Sequence, residues 1–390
     1  MIVYRVCQKW RSTVFARLNR FDDISVTVVH GEDVSGSKLI NDSNPSGFET
    51  VKLKTFCASI PVSGRSAIVI LYPTLFLNLM KLRPDVLLIE GGSNVVNNVS
   101  VYLYSFLKRV PIVWWTLGEL PGRKHSGLGH LYKALVQFME RRARVLLGYS
   151  SLATDYFLRC GYEPQKCFKA VNCVDTDLVS EKMSAIRHSK GYLKEVFGVA
   201  NKKVTLFVGA LTFEKRIDRL IKAFVDVARQ NVDAALLVVG DGPARASLEQ
   251  EVKDLGIGDF VIFAGKVEDG VEQAFQTADI FVLPGLGGLA ISEALTHSLP
   301  VICTIGDGCE IDLIQDGYNG FRIASDDDRI VLPALAEKMC LLYSDDVLRS
   351  QMALHAREVI ENKYNINAYC SNVRAAILYA YTGVRDEATS

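Results

Sequence analysis

Two loops in the second half of the chain carry the residues best suited to holding an anion. The first follows the apolar run Val204–Gly209 and reads ALTFEKRID, with Lys215 and Arg216 opening a helical pattern. A helix N-terminus offers unpaired N–H groups and the positive end of the macrodipole. Two cations added there make a seat for a diphosphate. The plainer alternative is a solvated basic first turn, although cations at that end oppose the dipole. The second loop lies in FVLPGLGGLAISEALTHSLPVI, residues 281–302, where Gly285, Gly287 and Gly288 lead into a helix beginning near Leu289. Glycines let the backbone approach a ligand, and the first N–H groups can bind phosphate oxygens. Glu293, about one turn on, is placed to accept hydrogen bonds from two adjacent ribose hydroxyls, or merely to complement the helix dipole.

Two weaker candidates accompany these loops. VVGDGP ends another apolar run, with Gly242 and then Pro243 suiting a strand-to-helix turn. In the first half, the two tryptophans and two glycine turns of IVWWTLGELPGRKHSG (112–127), at a strand end, suggest a loop lining a cleft, with Trp115, Gly118 and Glu119 in it. Sugars stack on aromatic faces, while core packing is the alternative for Trp114 and Trp115. The six histidines form no HExxH pattern, no Asp-x-Asp pair of the kind that would hold a metal–diphosphate complex is read and no nucleophilic triad is visible, so no metal site is expected.

These loops need strands to hold them. Ile2–Val6, Ile24–His30, Val51–Phe56, Asp85–Glu90, Ile112–Thr116, Val145–Tyr149 and Phe168–Asn172 read as buried strands with helical patterns between most of them. Val204–Gly209, Ala235–Gly240, Phe260–Gly265, Ile280–Pro284 and Val301–Thr304 repeat the pattern, and Ile217, Leu220, Ile221, Phe224 and Ala228 share one helical face. Such alternation predicts parallel sheets covered by helices. Ligands in open α/β sheets bind at the carboxyl ends of the strands, which singles out the loops after Gly209, Gly240, Gly265 and Pro284.

At 390 residues the chain is long enough for two α/β domains. The expected division is an N-terminal Rossmann-like domain over 1–176, a polar linker over 177–203, a second Rossmann-like domain over 204–346 and C-terminal helices over 347–390 that partly cross back to the first. The longest apolar stretch, Ala67–Met80, is interrupted by Tyr72, Pro73, Thr74 and Asn78 and is too short to span a bilayer. No signal peptide is read at the N-terminus. Nine scattered cysteines without CxxC spacing indicate free thiols in a reducing cytoplasm. Residues 1–190 hold 25 Lys/Arg and 15 Asp/Glu, a net +10, against 19 and 29 in the remainder, a net −10. The basic half either faces anionic lipid or a phosphorylated acceptor, or simply solubilises exposed helices.

Residues 204–323 resemble the donor-binding domain of glycosyltransferase family 4, the group 1 glycosyltransferases of GT-B fold. The resemblance rests on FVGALTFEKRID, LLVVGDGP, VIFAG, ADIFVLP, EALTHSLPVI and DLIQDGYNGF in the family's order and spacing. WRSTVFARL, PDVLLIE and LRCGYEPQKCFKAVNCVDTD resemble the acceptor domain more loosely. The resemblance implies two Rossmann-like domains with parallel sheets facing across a cleft. It further implies sugar transfer from a nucleoside diphosphate with retained anomeric configuration and no metal. Lys215 would bind the diphosphate with Arg216 assisting, Glu293 the ribose, the Gly288 and Leu289 backbone the phosphate, and Gly265–Lys266–Val267 the base. The chain departs from the family at Ala210 (usually Arg), Gly285 (usually Glu, touching the donor sugar) and Leu117 (often His), and Cys7–Trp10 replaces a glycine-rich turn.

The expected protein is thus a cytoplasmic glycosyltransferase, peripheral on the inner membrane face. It would take a nucleotide-sugar donor and a glycan or lipid-linked acceptor, with no nucleic acid partner. It would serve surface polysaccharide, lipopolysaccharide or glycolipid synthesis. The alternative is a non-catalytic GT-B protein that binds a nucleotide sugar or serves a transferase complex.

Overall fold

The computed structural model describes residues 1–34, 39–62, 65–119, 128–267 and 269–383. They form two compact units: Met1–Val171 with the chain from Asn367 onward, and Asn172–Ile366.

The first unit opens with β1 (Ile2–Val3), α1 (Lys9–Leu18), β2 (Thr27–His30) and β3 (Glu49–Lys52). An antiparallel pair follows, β4 (Phe56–Val62) with β5 (Arg65–Leu71). Then come α2 (Leu75–Leu82), β6 (Leu87–Glu90), α3 (Val95–Lys108), β7 (Ile112–Thr116), α4 (Leu128–Glu140), β8 (Val145–Gly148), α5 (Ser151–Arg159) and β9 (Cys167–Lys169). Seven strands make one parallel sheet in the order β3-β2-β1-β6-β7-β8-β9. Apart from Glu90, the sequences LLIE, IVWW and VLLG are apolar because helices cover both faces of a parallel sheet, and every one of these residues is buried. Arg11 of α1 is buried among aromatic rings, its guanidinium 4.2 Å from the Trp10 centroid and 4.3 Å from that of Trp115. It donates to the Tyr369 hydroxyl, which fastens α1 to the last helix. The π faces offset part of the burial of the charge.

The second unit begins with α6 (Thr176–Ala185) and α7 (Lys190–Val196), then β10 (Lys203–Val208), α8 (Ile217–Gln230), β11 (Ala234–Val239), α9 (Arg245–Asp254) and β12 (Val261–Gly265). It continues through α10 (Val271–Thr277), β13 (Ile280–Leu283), α11 (Gly288–Thr296), β14 (Val301–Thr304), α12 (Cys309–Leu313) and β15 (Gly320–Ile323). The helices α13 (Asp328–Ser344), α14 (Asp346–Asn362) and α15 (Ile366–Thr382) complete the chain, and α15 returns it to the first unit. The parallel sheet runs β12-β11-β10-β13-β14-β15. Its order reverses beside β10, which pairs with β11 on one side and β13 on the other. The connections leaving β10 and β13 therefore diverge at their carboxyl ends, the geometry in which open α/β sheets leave room for a ligand.

The structure differs from the sequence reading in three places. The stretch 177–203, read as a polar linker, is folded into helices. It contains most of α6 and all of α7, capped by the Asp175 and Ser189 side chains and tied to the second unit by Lys182–Glu272 and Lys190–Asp279 pairs at 2.8 and 2.7 Å. The β4–β5 pair and β15 are additional strands, too short or too irregular in polarity to read from periodicity. The helical run from Val347 breaks at Lys363–Asn365 between α14 and α15.

The chain packs most tightly at the carboxyl ends of β10 and β11. Gly240 has φ +143°, and a Cβ there would overlap the Gly209 carbonyl oxygen, while its N–H donates to Gly265 O at 2.8 Å. Gly240→Ala is expected to cost about 2 kcal/mol or more, from strain plus a backbone clash. Denaturant unfolding checks this, with a drop in midpoint as the expected result.

Candidate functional site

The loops after β10, β11 and β13 meet in one place. Leu211 N–H donates to Asp241 O and Ala244 N–H to Leu211 O, both at 3.0 Å, so the first loop is laced to the second. Gly242 is a glycine because a Cβ would run into the Leu211 backbone, and its N–H donates to its neighbour Asp241 at 2.7 Å. Leu286 N–H donates to Glu214 O at 3.1 Å, lacing the first loop to the third. A Cβ on Gly285 would lie 2.5 Å from that same oxygen and 2.7 Å from Lys215 C. The backbones of 214–215 and 285–286 are thus in direct contact, and this position excludes the glutamate of the family pattern.

Lys215 projects from this junction. Its Nζ fills the space a side chain on Gly287 would take, with Gly287 at φ +145° immediately before α11. An ammonium and a helix N-terminus are therefore adjacent, an arrangement that stabilises a bound anion. Arg216 behaves differently. Held at φ +50°, it directs its guanidinium to Asp218 and Asp328 at 3.3–3.4 Å and, more loosely, to Asp326. Asp326 and Asp328 also pair with Arg219, and the Lys215 Nζ is the cation beside Gly287.

The first turn of α11 is partly occupied by the protein itself. Gly288 N–H donates to Asp307 Oδ2 at 2.9 Å, and Cys309 N–H donates to Oδ1 at 3.3 Å. A Cβ on Gly288 would lie 2.5 Å from the Cys309 Cβ and 2.8 Å from Asp307 Oδ1. Gly288 is thus a glycine for the sake of this internal contact as much as any ligand. Leu289, next in line, is half-buried. Asp307 is positioned by Glu310, whose buried carboxylate accepts from Gly306 and Gly308 N–H at 3.0 and 2.8 Å. Sequence reasoning missed both acids. The signal was the GDG turn at 306–308 after β14, another strand ending at the same edge of the sheet.

Glu293 lies one turn into α11, and burial together with the negative charge of Glu272 pushes its carboxyl up to about 7, against a smaller opposing pull from Lys182. One turn further, His297 is buried, stacked on Phe275 with centroids 4.6 Å apart, and burial brings its pKa down to about 4. Glu272 is itself held by Lys182 at 2.8 Å. At the end of β12, Gly265 has φ +75° and bonds to Gly240, while Lys266 is exposed and Val267 half-buried.

The acceptor-side residues fare differently. Trp115 is fully buried beneath Arg11 and against Tyr149, with ring centroids 5.1 Å apart, so its ring is core and not a sugar platform. Its strand is central in a doubly covered sheet, which decides the matter. Gly118 takes φ +70°, where a Cβ would lie 3.0 Å from Ala153 Cα, and Glu119 pairs with Lys133 at 2.5 Å. Residues 120–127 of that loop lie outside the described residues. Among the described residues, no group of three or more His, Cys, Asp or Glu is placed to hold a metal, and none of the nine cysteines is in a disulfide. No helix among them is long and apolar enough to cross a membrane.

Glu293 supplies a pH test. Its folded pKa near 7 exceeds the value of about 4.3 in an unfolded chain. The folded state therefore binds the extra proton between those values, and the stability Glu293 contributes falls as pH rises through that window. Glu293→Gln is expected to gain stability relative to the parent chain between pH 5 and pH 8 (roughly that window), measured by denaturant midpoints. An unchanged difference would place the carboxyl in a solvated setting.

Residues 193–359 match the family described as glycosyl transferases group 1. The chain is 25% identical over 232 residues to alpha-D-kanosaminyltransferase of Streptomyces kanamyceticus, a match covering 58% of each. It is 30% identical over 176 residues to N-acetyl-alpha-D-glucosaminyl L-malate synthase of Bacillus anthracis, covering 44% of each. The chain thus spans about half the length of these curated relatives. Among solved structures, Anabaena HepE in complex with UDP is similar at a TM-score of 0.69 and 18% identity, over 96% of this chain and 98% of that one. That likeness establishes the fold. Residues 193–359 are thus similar to group 1 glycosyl transferases, and the chain has the GT-B architecture of two parallel-sheet Rossmann-like units.

Proposed function

We propose that the chain is a retaining family 4 glycosyltransferase moving a sugar from a nucleoside-diphosphate donor to a glycan or lipid-linked acceptor. The observation that carries the reading is the junction of Lys215, Gly285 and Gly287 at the N-terminus of α11, where the sheet order reverses. Support comes from the kanosaminyltransferase and glucosaminyl-malate synthase relatives, whose names describe glycosyl transfer, and from HepE, which was crystallised with UDP and with UDP-glucose.

In this reading the diphosphate lies against Lys215 and the first N–H groups of α11, Gly288 and Leu289. Glu293 accepts from the ribose hydroxyls, while Gly242 and the backbone of Lys266 and Val267 border the base. The leaving diphosphate gains negative charge as the glycosidic bond breaks, and a fixed ammonium with oriented N–H donors stabilises that charge. The reading needs no metal ion and no other cofactor. Gly118 and Glu119 border the acceptor side. The protein would work in the cytoplasm in surface polysaccharide, lipopolysaccharide or glycolipid synthesis, beside an anionic membrane surface.

A thermal-shift screen against UDP-, GDP-, ADP- and dTDP-sugars tests donor binding, since a specific ligand raises the melting temperature. Lys215→Ala and Glu293→Ala are each expected to weaken nucleotide binding roughly ten- to a hundredfold, or about 1.5–3 kcal/mol for a charged hydrogen bond. Unchanged affinity in both would misplace the site. Because ribose hydroxyls donate to an ionised carboxylate, affinity in the parent chain should rise with pH through about 7, and Glu293→Gln should flatten that rise. Asp307 competes for the Gly288 N–H, so Asp307→Asn is expected to tighten nucleoside diphosphate binding, as read by titration calorimetry. Release of nucleoside diphosphate with labelling of a membrane lipid fraction tests transfer. Binding without turnover across the donor panel would favour a non-catalytic nucleotide-sugar-binding protein.

A further inference from the structure

Three consecutive helices of the first unit are apolar on both sides. α2, α3 and α4 stand side by side: the Phe76 and Tyr104 rings join α2 to α3, and the Tyr102 hydroxyl donates to Met139 O at 2.7 Å, joining α3 to α4. Their inner residues, among them Leu75, Leu79, Val101 and Met139, share one core with Ile89 and Trp114. Ordinary surface helices are polar on the outside. The outer residues of α8 in the second unit follow that rule, with Lys222, Asp226, Arg229 and Gln230 exposed.

α3 breaks the rule. Thirteen of its fourteen residues carry no charge, and Val96, Val99, Leu103 and Phe106 form an exposed stripe at helical spacing, with Phe106 82% exposed. On α4, Leu131, Leu135 and Phe138 repeat the pattern at 69%, 38% and 52% exposure. Leu77 extends the apolar face onto α2. The one carboxylate within the three helices is Glu140, which is buried and accepts from the Tyr156 and Tyr162 hydroxyls.

Each of these helices leads into a strand of the same parallel sheet, so their C-termini lie along one edge. Each ends in exposed cations: Lys81 and Arg83, Lys108 and Arg109, Arg141 and Arg142. Asp85 is the single carboxylate in the connections that follow. The Arg142 guanidinium sits 3.6 Å from the Phe138 ring centroid, an apolar and a cationic group presented together. A large apolar surface marks an interaction site. A row of cations beside it, with a lone acid, selects an anionic occupant, and an apolar face with a basic border is the chemistry of the headgroup–acyl boundary.

We infer that the outer face of α2, α3 and α4 docks on a lipid bilayer bearing anionic headgroups. The apolar stripe enters the acyl boundary and the basic edge lies on the phosphates. This deepens the lipid-linked-acceptor reading by naming the surface that would bring the enzyme to its acceptor, but docking itself needs no donor.

The test is sedimentation with vesicles of phosphatidylcholine alone and of phosphatidylcholine mixed with phosphatidylglycerol. The parent chain should bind the anionic vesicles about tenfold more tightly or better, and raised salt should weaken binding. Leu103→Glu with Phe106→Glu should abolish binding to both. Arg141→Gln with Arg142→Gln should remove much of the anionic preference. Leu354→Glu, at an exposed position on α14, should change nothing. Thermal melts and the nucleotide shift, unaltered in every variant, establish that the fold is intact and report on donor binding separately. Absence of vesicle binding by the parent chain would overturn the inference, as would unaltered binding by the α3 variant. A dimer in sedimentation velocity that the α3 variant dissociates would assign the face to self-association and overturn it too.

Discussion

The candidate site depends on backbone touching backbone. Gly240 against the Gly209 carbonyl, Gly242 against Leu211 and Gly285 against Glu214 are contacts that a single Cβ would break. They fuse the loops leaving β10, β11 and β13 into one surface. Without that fusion Lys215 and the start of α11 would be independent loop features; with it, the ammonium is delivered to the helix N-terminus. Positive-φ glycines at 209, 240 and 287 supply conformations other residues adopt only under strain.

Electrostatics then divide the charged residues of the second unit into two sets. Arg216 and Arg219 are balanced by Asp218, Asp326 and Asp328, an assembly that pins α8 to the start of α13. Lys215, Asp307 and Glu293 are gathered around the first turns of α11. Asp307 already engages the first N–H of that helix, so an incoming anion meets a resident carboxylate as well as a resident cation. Glu293 is raised to about 7 by burial and by Glu272, which makes its charge responsive to small changes near neutral pH. His297, stacked on Phe275 and kept neutral by burial, closes the apolar side of the same helix.

The two units solve the same folding problem with different outer surfaces. Both cover a parallel sheet with helices. In the second, the outer face of α8 is charged; in the first, three neighbouring helices stay apolar outward and gather their cations at one edge. Composition registered this only as a charge difference of +10 against −10 between the halves. The grouping of apolar side chains across α2, α3 and α4 is a property of the crossover geometry, which places successive helices on one side of the sheet.

Much of the architecture was legible in the sequence. Apolar runs buried on both faces gave Ile112–Thr116 and Val301–Thr304 at their observed limits and the other predicted strands within a few residues. The order of the six donor-domain segments pointed to the family that residues 193–359 match. Residue types alone also marked Lys215, Gly287 and Glu293, because a cation and glycines beside a helix start have few other uses. What the sequence left open was contact. Arg216 and Lys215 are adjacent and chemically alike, yet the tertiary structure brings the acids of the 326–328 stretch to Arg216 and places the Lys215 Nζ by Gly287. Trp115 read as well for a sugar platform as for core, until its central strand and the Arg11 guanidinium above it settled the question. Asp307 and Glu310 carried only the signal of the 306–308 turn, because their roles arise from hydrogen bonds spanning that turn and a neighbouring helix. Periodicity and composition are local, whereas partners, burial and shifted pKa values depend on residues far apart in the chain, and only the tertiary structure brings those together.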